Sequence, residues 1–340
     1  MHFDLNFIWF LLVGVLLTGY AMLDGFDLGV GALHLFTQDD AERRTLLNAI
    51  GPVWDGNEVW LVTGGGALFA AFPNVYATAF SGFYLALFLL LASLIFRSVA
   101  IEFRSKRPEH WWRQMWDVSF SVGSILSGLL LGVALGNIAW GVPVDAQGEF
   151  AGTFLGLLKP YPLLVGVTTL ALFMMHGAIY GVMKTEGALH DKLRGWAMRS
   201  ILFFVICAVI LTLVTLVFVP HLTARVRANP WLFTVLIANL LAIANIPREF
   251  HQGHDGRAFL SSCATIITLM ALFALNTFPN LIYSLPAPEN SLTIYNAASS
   301  PKTLEIMLII AGIGMPLVLA YTVGIYWIFR GKVKLERTSY

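Results

Sequence analysis

The chain has 340 residues, of which 57% are hydrophobic and 12% are charged, and its formal net charge is +1. A soluble domain carries about 25% charged residues, so this chain has too little polar surface to cover a water-soluble globule. The composition therefore excludes a soluble enzyme, a nucleic-acid-binding protein and a disordered scaffold, and it indicates a protein whose main solvent is lipid.

Nine apolar runs are long enough to cross a hydrocarbon core of about 30 Å. The first run lacks a basic leader and a small-residue cleavage site, so we interpret it as a membrane helix rather than a removable signal peptide. The predicted spans are residues 7–36, 57–72, 76–96, 116–140, 161–183, 201–219, 231–246, 258–282 and 304–329. The sequence thus predicts an all-α polytopic membrane protein, with a single membrane domain over residues 1–340 and no soluble domain.

The basic residues favour one topology over the alternative in which residues 57–96 form a single helix. With nine spans and an external N-terminus, Lys159, Arg225, Arg227 and Lys302 lie outside, and the other 17 of the 21 lysines and arginines face the cytoplasm. Cytoplasmic loops are enriched in lysine and arginine, and merging the two spans would reverse every later loop. We therefore expect an external N-terminus, a cytoplasmic C-terminus and an external segment at 283–303.

Five acidic residues lie near the predicted cytoplasmic ends of three helices: Asp24 and Asp27 in the first, Asp55 and Glu58 in the second, and Asp117 in the fourth. A charge at the bilayer centre costs about 2.5–3.5 kcal/mol, so such residues usually serve a function. Helix capping explains Asp117 equally well, since we place it at a helix N-terminus. Asp24 and Asp27 lie near a helix C-terminus, where the dipole opposes negative charge, so we favour a proton relay or ion site for them and for Asp55.

Other motifs carry weaker signals. Small residues repeat every four positions in the fourth helix, and we favour packing within the chain over a docking face for a partner subunit. They are Ser124, Gly128, Gly132 and Gly136. His176 lies in mid-helix without a facing histidine, so a buried, hydrogen-bonded side chain is favoured over a haem ligand, and we predict no metal site in this chain.

Several motifs together resemble subunit II of the cytochrome bd quinol oxidases, although no single motif is specific. They are dense over residues 7–143, and later the resemblance lies mainly in the order of the spans. The motifs are Gly19-Tyr-Ala-Met-Leu-Asp24-Gly-Phe-Asp27-Leu-Gly-Val-Gly31, Glu42-Arg43-Arg44, Gly51-Pro-Val-Trp54-Asp55-Gly-Asn57-Glu58-Val-Trp60, Gly65-Gly-Ala-Leu-Phe-Ala-Ala-Phe-Pro73, Phe80-Ser-Gly-Phe-Tyr84, Trp112 to Asp117 and Gly136-Asn137.

The resemblance implies a nine-helix subunit built from two four-helix bundles plus one peripheral helix in the bacterial cytoplasmic (inner) membrane. Its partner would be subunit I, which in this family holds two b haems, haem d and the quinol site, so this chain would ligate none of them. The complex would be a terminal oxidase of aerobic respiration that oxidises quinol and reduces O2 to water. Protons taken up from the cytoplasm and released outside would generate a proton gradient.

The resemblance also implies roles for individual residues. Asp55 corresponds to an acid on a proton route from the cytoplasm, and Trp60 to a tryptophan near the entrance of a dioxygen tunnel. Asp24 and Asp27 correspond to the family's DGFD pair; we assign them to the relay, with Glu58 and Asp117, because of their depth. The chain's length resembles the shorter, cyanide-insensitive type. A bound quinone or lipid and a small single-helix accessory subunit remain open.

Two other functions compete with an oxidase subunit that supplies protons and oxygen. In an ion-coupled secondary transporter, the acids would bind a coupling cation and the second span, with its run Gly64-Gly65-Gly66, would be a broken helix. Such transporters show internal repeats, and we find none in this sequence. A purely structural assembly subunit is the third hypothesis, and it predicts that Asp55→Asn leaves turnover unchanged.

Overall fold

A computed structural model describes residues 4–335, and helices make up most of this part of the chain. The helices are α1 (Leu5–Leu33), α2 (Asp40–Ile50), α3 (Trp54–Ala71), α4 (Pro73–Gly82), α5 (Tyr84–Phe103), α6 (His110–Trp140), α7 (Pro160–Lys184), α8 (Gly187–Phe218), α9 (Pro220–Ala228), α10 (Phe233–His251), α11 (Asp255–Thr277) and α12 (Pro301–Ile328). Two short strands, β1 (Asn280–Ile282) and β2 (Leu292–Thr293), pair antiparallel.

Within residues 4–335, eight helices are long and apolar enough to cross a membrane: α1, α5, α6, α7, α8, α10, α11 and α12. The chain is therefore an all-α polytopic membrane protein. The second predicted span corresponds to α3, which is not among the eight. Its 18 residues include Asp55, Asn57, Glu58 and three consecutive glycines, and these lower its hydropathy. The count of nine spans therefore stays a prediction.

Helix α3 nevertheless runs antiparallel along α1 for most of its length. We name the two ends of the bundle after the flanks of α1, the Asp4 end and the His34 end. Asn57 at the start of α3 bonds to Asp27 near the His34 end. At the other end of α3, Phe72 packs in the same hydrophobic cluster as Trp9 of α1. The two ends of α3 thus lie at opposite ends of the bundle.

The third predicted span, 76–96, has the wrong boundaries. The chain instead forms the short helix α4, turns at Phe83 and continues as α5 from Tyr84 to Phe103. Arg97, which the sequence analysis assigned to a cytoplasmic loop, therefore lies inside α5 and is fully buried. A span predicted from apolar residues ends at the first charged residue. The helix itself can continue through a charged residue that is paired with a buried residue of opposite charge.

Helices α6 and α8 also begin earlier than predicted, at His110 and Gly187 rather than at residues 116 and 201. Asp117 consequently lies two turns inside α6. Of the two alternatives for Asp117, capping of this helix is therefore wrong, because only the first turn of a helix leaves backbone N–H groups free, and a place on the proton route stays a prediction.

Helix α1 lies at the centre of the bundle and packs against α3, α6, α7 and α11. It meets α7 where two glycines face each other: a Cβ added at Gly177 would lie 2.5 Å from the backbone of Gly29. In contrast, α12 buries only Leu304 within the chain and lies at the periphery. The helices therefore pack tightly close to the His34 end, where α1 also carries its two acids, Asp24 and Asp27. An arrangement as two four-helix bundles stays a prediction.

The predicted external segment is ordered at the Asp4 end. Beside the β1–β2 pair, a parallel bridge joins Val142 to Ser284, and an antiparallel bridge joins Val144 to Phe150. The connections after α6 and α11 therefore form one cap over this end of the bundle.

Candidate functional site

Three helices meet at an ion cluster close to the His34 end: α1 and α3 carry the acids, and α5 carries the guanidinium group. Arg97 of α5 donates to Asp24 of α1 through Nη2, with 2.6 Å to Oδ1, and through Nη1, with 3.3 Å to Oδ2. The same Nη1 lies 2.5 Å from Oε1 of Glu58 in α3, and Ser98 Oγ donates to that oxygen at 3.2 Å. We call Asp24, Asp27, Asn57, Glu58 and Arg97 the Arg97 cluster.

Asp27 joins the cluster through an amide side chain. Asn57 Nδ2 donates to Asp27 Oδ2 at 2.7 Å and to the backbone oxygen of Leu23 at 3.3 Å. The amide oxygen of Asn57 accepts a hydrogen bond from the hydroxyl of Tyr326 in α12 at 2.9 Å. The other carboxyl oxygen of Asp27 has no hydrogen-bond partner among residues 4–335.

The charges of the Arg97 cluster do not balance. Asp24, Asp27 and Arg97 are fully buried, and the side chain of Glu58 is 23% exposed. The cluster has three carboxyl groups and one guanidinium, so full ionisation would leave two uncompensated negative charges in a low-dielectric interior, which is costly. The cluster can therefore hold protons, and Glu58 connects it to the surface.

Asp117 belongs to a separate network, about two helical turns away along α5. Arg104 Nε donates to Asp117 Oδ1 at 2.6 Å, and Arg43 Nη1 donates to Asp117 Oδ2 at 2.8 Å. His34 Nε2 also lies 2.6 Å from Oδ1. Arg104 further bonds to Asp40 at 2.8 Å, so the network ties α2 to α5 and α6. Arg113 also bonds to Asp40, at 3.0 Å, so three arginines face two aspartates and this network, unlike the Arg97 cluster, has no excess of acids.

A second ion pair holds α2, which is not one of the membrane-spanning helices, against the start of α8. Glu42 accepts a hydrogen bond from Lys192 of α8 at 2.8 Å. Partial burial raises the pKa of Glu42, but the hydrogen bond and charge of Lys192 outweigh it and hold this pKa below its ordinary value of 4.5. Helix α2 is thereby held across the His34 end of the bundle.

Asp55 does not join either group. It lies in the first turn of α3, is exposed, and makes no ion pair or side-chain hydrogen bond within the described part of the chain. Glu58 follows it by three residues, which puts the two carboxyl groups on neighbouring positions of one helix face. The five acids of similar predicted depth therefore divide into three groups: Asp24, Asp27 and Glu58 lie together, Asp117 belongs to its own network, and Asp55 lies between the three and the surface.

Trp60 is buried and lines a cavity of about 370 Å³. Its ring packs against Gly19 of α1, at a distance that leaves no room for a side chain there. The cavity lies between α3, α1 and α12, and its surface is mostly apolar; Leu16, Val59 and Met315 contribute to it. Asn57 and Tyr326 also line it, so the cavity borders the Arg97 cluster.

The four small residues of α6 face other helices of the same chain. Gly132 and Gly136 meet the backbone of α7 at Gly166 and Pro162, where an added Cβ would approach to 2.7 and 2.6 Å. Ser124 lies against Gly31 of α1. A Cβ at Gly128, the remaining member, would contact α7 at Phe173.

The buried histidines of the described residues have ring nitrogens engaged by protein atoms. His176 Nε2 lies 2.9 Å from the backbone oxygen of Met22, and its Nδ1 lies 2.7 Å from Ser262 Oγ. His34 is engaged by Asp117. No group of three or more His, Cys, Asp or Glu side chains that could hold a metal ion occurs in residues 4–335. His176, with both ring nitrogens engaged, does not fit haem ligation, whereas Nδ1 of His34 has no hydrogen-bond partner among the described residues.

Sequence reasoning missed Arg97, Asn57 and Tyr326. Arg97 carried one usable signal: it is the first charge after a long apolar run, and buried acids need a counter-charge. Asn57 follows Asp55 in the quoted WDGN motif, but nothing in a local pattern indicates that its amide points towards α1. Tyr326 is remote in sequence and reaches the site only through tertiary packing.

Comparisons with known proteins give consistent matches. A family model described as cytochrome bd terminal oxidase subunit II matches residues 5–329. Cytochrome bd-I ubiquinol oxidase subunit 2 of Escherichia coli (strain K12) is 38% identical, over 98% of this chain and 96% of the relative. Cytochrome bd ubiquinol oxidase subunit 2 of Bacillus subtilis (strain 168) is 33% identical, over 97% of both chains.

A solved structure shares the fold. A chain of the bd oxidase from Geobacillus thermodenitrificans superposes with a TM-score of 0.79, over 96% of this chain and 99% of that chain. Its sequence identity is 16%, so this likeness concerns the fold alone.

Proposed function

Because this chain belongs to the cytochrome bd terminal oxidase subunit II family, we propose that it supplies protons and oxygen to a haem-bearing partner subunit. The chain is a subunit of a bd-type quinol oxidase, an oxidoreductase that works as a complex with a subunit I. Family membership favours this function over an ion-coupled transporter.

The two b haems and haem d lie in subunit I under this proposal. The support is that His176, the histidine in mid-helix, has both ring nitrogens bonded to protein groups. The haems supply the electron transfer and oxygen chemistry when bound, and this chain's residues carry protons and shape a passage.

The proposal is carried by one observation: the Arg97 cluster holds three carboxyl groups and one cation, with Asp24 and Glu58 bonded to Arg97 and Asp27 bonded to Asn57. A site with more acids than bases can accept a proton without burying a new net positive charge. Asp55 collects protons at the surface, Glu58 takes them inward, and Asp24 and Asp27 hold them. Asp117 stabilises the helices around this route through its own ion network.

The cavity beside Trp60 is the proposed oxygen route. O2 is small and apolar, and a mostly apolar cavity of about 370 Å³ is wide enough to admit it from the membrane. The cavity also has room for part of a lipid or quinone, so its occupant in the membrane decides how freely oxygen passes.

The His34 end faces the cytoplasm in this proposal, with nine crossings of the bacterial cytoplasmic membrane. This orientation lets protons for water formation enter from the cytoplasm while quinol protons leave outside, which generates a proton gradient. The peripheral α12, with its exposed apolar side chains, has a free face for lipid, subunit I or a small accessory subunit.

Substitution of Asp55 tests the proton route without endangering the fold, because Asp55 is exposed and unpaired within residues 4–335. In the purified complex, we expect Asp55→Asn and Glu58→Gln to lower quinol-driven O2 consumption at least tenfold while the haem absorption spectrum stays normal. Asp191→Asn, an equally exposed carboxylate in α8, is the matched control and keeps normal turnover. Normal turnover in both test variants would show a purely structural subunit.

A further inference from the structure

Tyr20 of α1 is buried, with 4% of its surface exposed, and its hydroxyl has no hydrogen-bond partner in the described residues. Buried tyrosine hydroxyls usually find a partner, and an unpaired one costs about 1–3 kcal/mol. Phenylalanine would fill the same space without that cost. Packing alone therefore does not explain a tyrosine at this position.

The hydroxyl lies next to the Arg97 cluster. Tyr20 precedes Asp24 by four residues, so the two side chains project from the same face of α1, about 6 Å apart along the axis. Asp24 acts on the Tyr20 hydroxyl through its charge and as a weak hydrogen-bond partner outside ordinary geometry, and Arg97 and Glu58 act on it through their charges. Tyr20 thus extends the cluster by one helical turn towards the middle of the helix.

On its other side, Tyr20 reaches the wall of the cavity. It packs with Leu16 and Trp60 in one buried hydrophobic cluster, and both of these residues line the cavity. Tyr20 therefore lies beside the acids on one side and directly behind two residues of the cavity wall on the other.

We propose that the Tyr20 hydroxyl is the proton-carrying group that follows Asp24 on the route to the oxygen-reducing site. This inference rests on the proposed function. The Asp24 carboxylic acid gives its proton to the phenolic oxygen while the phenolic proton passes to a water molecule on the far side. One O–H bond forms and one breaks at the phenolic oxygen, so Tyr20 stays neutral, Asp24 becomes the carboxylate that pairs with Arg97, and the water leaves as hydronium.

Tyr20→Phe removes only the hydroxyl, so it tests this step directly. In the purified complex, we expect quinol-driven O2 consumption to fall at least tenfold, with an unchanged haem absorption spectrum and an unchanged KM for quinol. The solvent deuterium isotope effect on turnover rises, because proton transfer becomes the slow step. Tyr161→Phe is the matched control, since Tyr161 is also buried but lies near the Asp4 end.

The outcomes separate this inference from the proposed function. Normal turnover in Tyr20→Phe together with slow turnover in Glu58→Gln would overturn the role of Tyr20 and leave the proton route intact. Normal turnover in both would overturn the proposed route itself. A Tyr20→Phe chain that fails to assemble with its haem-bearing partner would show that the hydroxyl is a structural group, which also overturns the inference.

Discussion

Arg97 holds the candidate site together, since it is the one cation bonded to both Asp24 and Glu58 in the described part of the chain. Its planar guanidinium engages both oxygens of Asp24, a geometry that the single ammonium of lysine cannot reproduce. The site therefore depends on the shape of this cation as well as on its charge.

Removing this cation should destabilise the protein. We expect Arg97→Met to cost about 3–5 kcal/mol, because it leaves buried carboxyl groups without a counter-charge. Arg97→Lys should lie between Arg97→Met and the unchanged protein. Thermal unfolding of the detergent-solubilised complex measures the effect. Arg227→Met, at an exposed arginine, is the control. An unfolding temperature of Arg97→Met equal to that of the unchanged complex would contradict this account.

The sequence was sufficient to single out Asp24 and Asp27 as candidate site residues, because a carboxyl group in an apolar helix is costly and usually serves a function. It was not sufficient for Asp55 and Asp117. All five acids lie at similar predicted depth, but depth does not say which way a side chain points around its helix. Asp55 points outwards from the first turn of α3, and Asp117 points towards Arg104.

At the scale of the elements, apolar length predicted most helices but failed where polar residues are buried. Helix α3 has a low mean hydropathy because it carries polar residues. Asn57 and Glu58 bond to neighbouring helices instead of facing lipid. Helix α5 extends beyond its apolar window because Arg97 is paired within it and Arg104 is paired directly after its last residue. Pairing between helices is a tertiary property, so a window that reads one segment at a time cannot detect it.

The crossing of α6 and α7 gives a prediction at this scale. Gly136→Ala should destabilise the protein by about 1–3 kcal/mol, because the new Cβ would lie 2.6 Å from the backbone of Pro162, which cannot move aside. Unfolding temperature and yield of the purified complex measure this loss.

The matched control for this crossing is Gly195→Ala in α8. Nothing lies within 4 Å of a Cβ at Gly195. Alanine favours the helix over glycine by about 0.5–1 kcal/mol, so this variant should be as stable as the unchanged protein or slightly more stable. Equal stability of the two alanine variants would show that the α6–α7 contact is looser than described.

For the whole molecule, the distribution of basic residues predicted an orientation that can now be tested by labelling. If α3 crosses the membrane, Gln147 faces outside and Glu186 faces the cytoplasm; both are exposed. A membrane-impermeant maleimide on intact cells should label Gln147→Cys and spare Glu186→Cys until the cells are broken. The unchanged chain controls for its two native cysteines. The inverted orientation, with the Asp4 end in the cytoplasm, would exchange the two labelling results.

The depth of Tyr20 links turnover to voltage. Tyr20 lies close to the middle of the 29-residue helix α1, so in the proposed orientation a proton that reaches it from the cytoplasm has crossed about half of the membrane's electric field. Moving one charge across the whole field costs about 2.3 kcal/mol per 100 mV, so half the distance costs about 1.1 kcal/mol per 100 mV. On the proposed route, an energised membrane therefore slows its own further charging, and the depth of this hydroxyl along α1 contributes to the strength of that feedback.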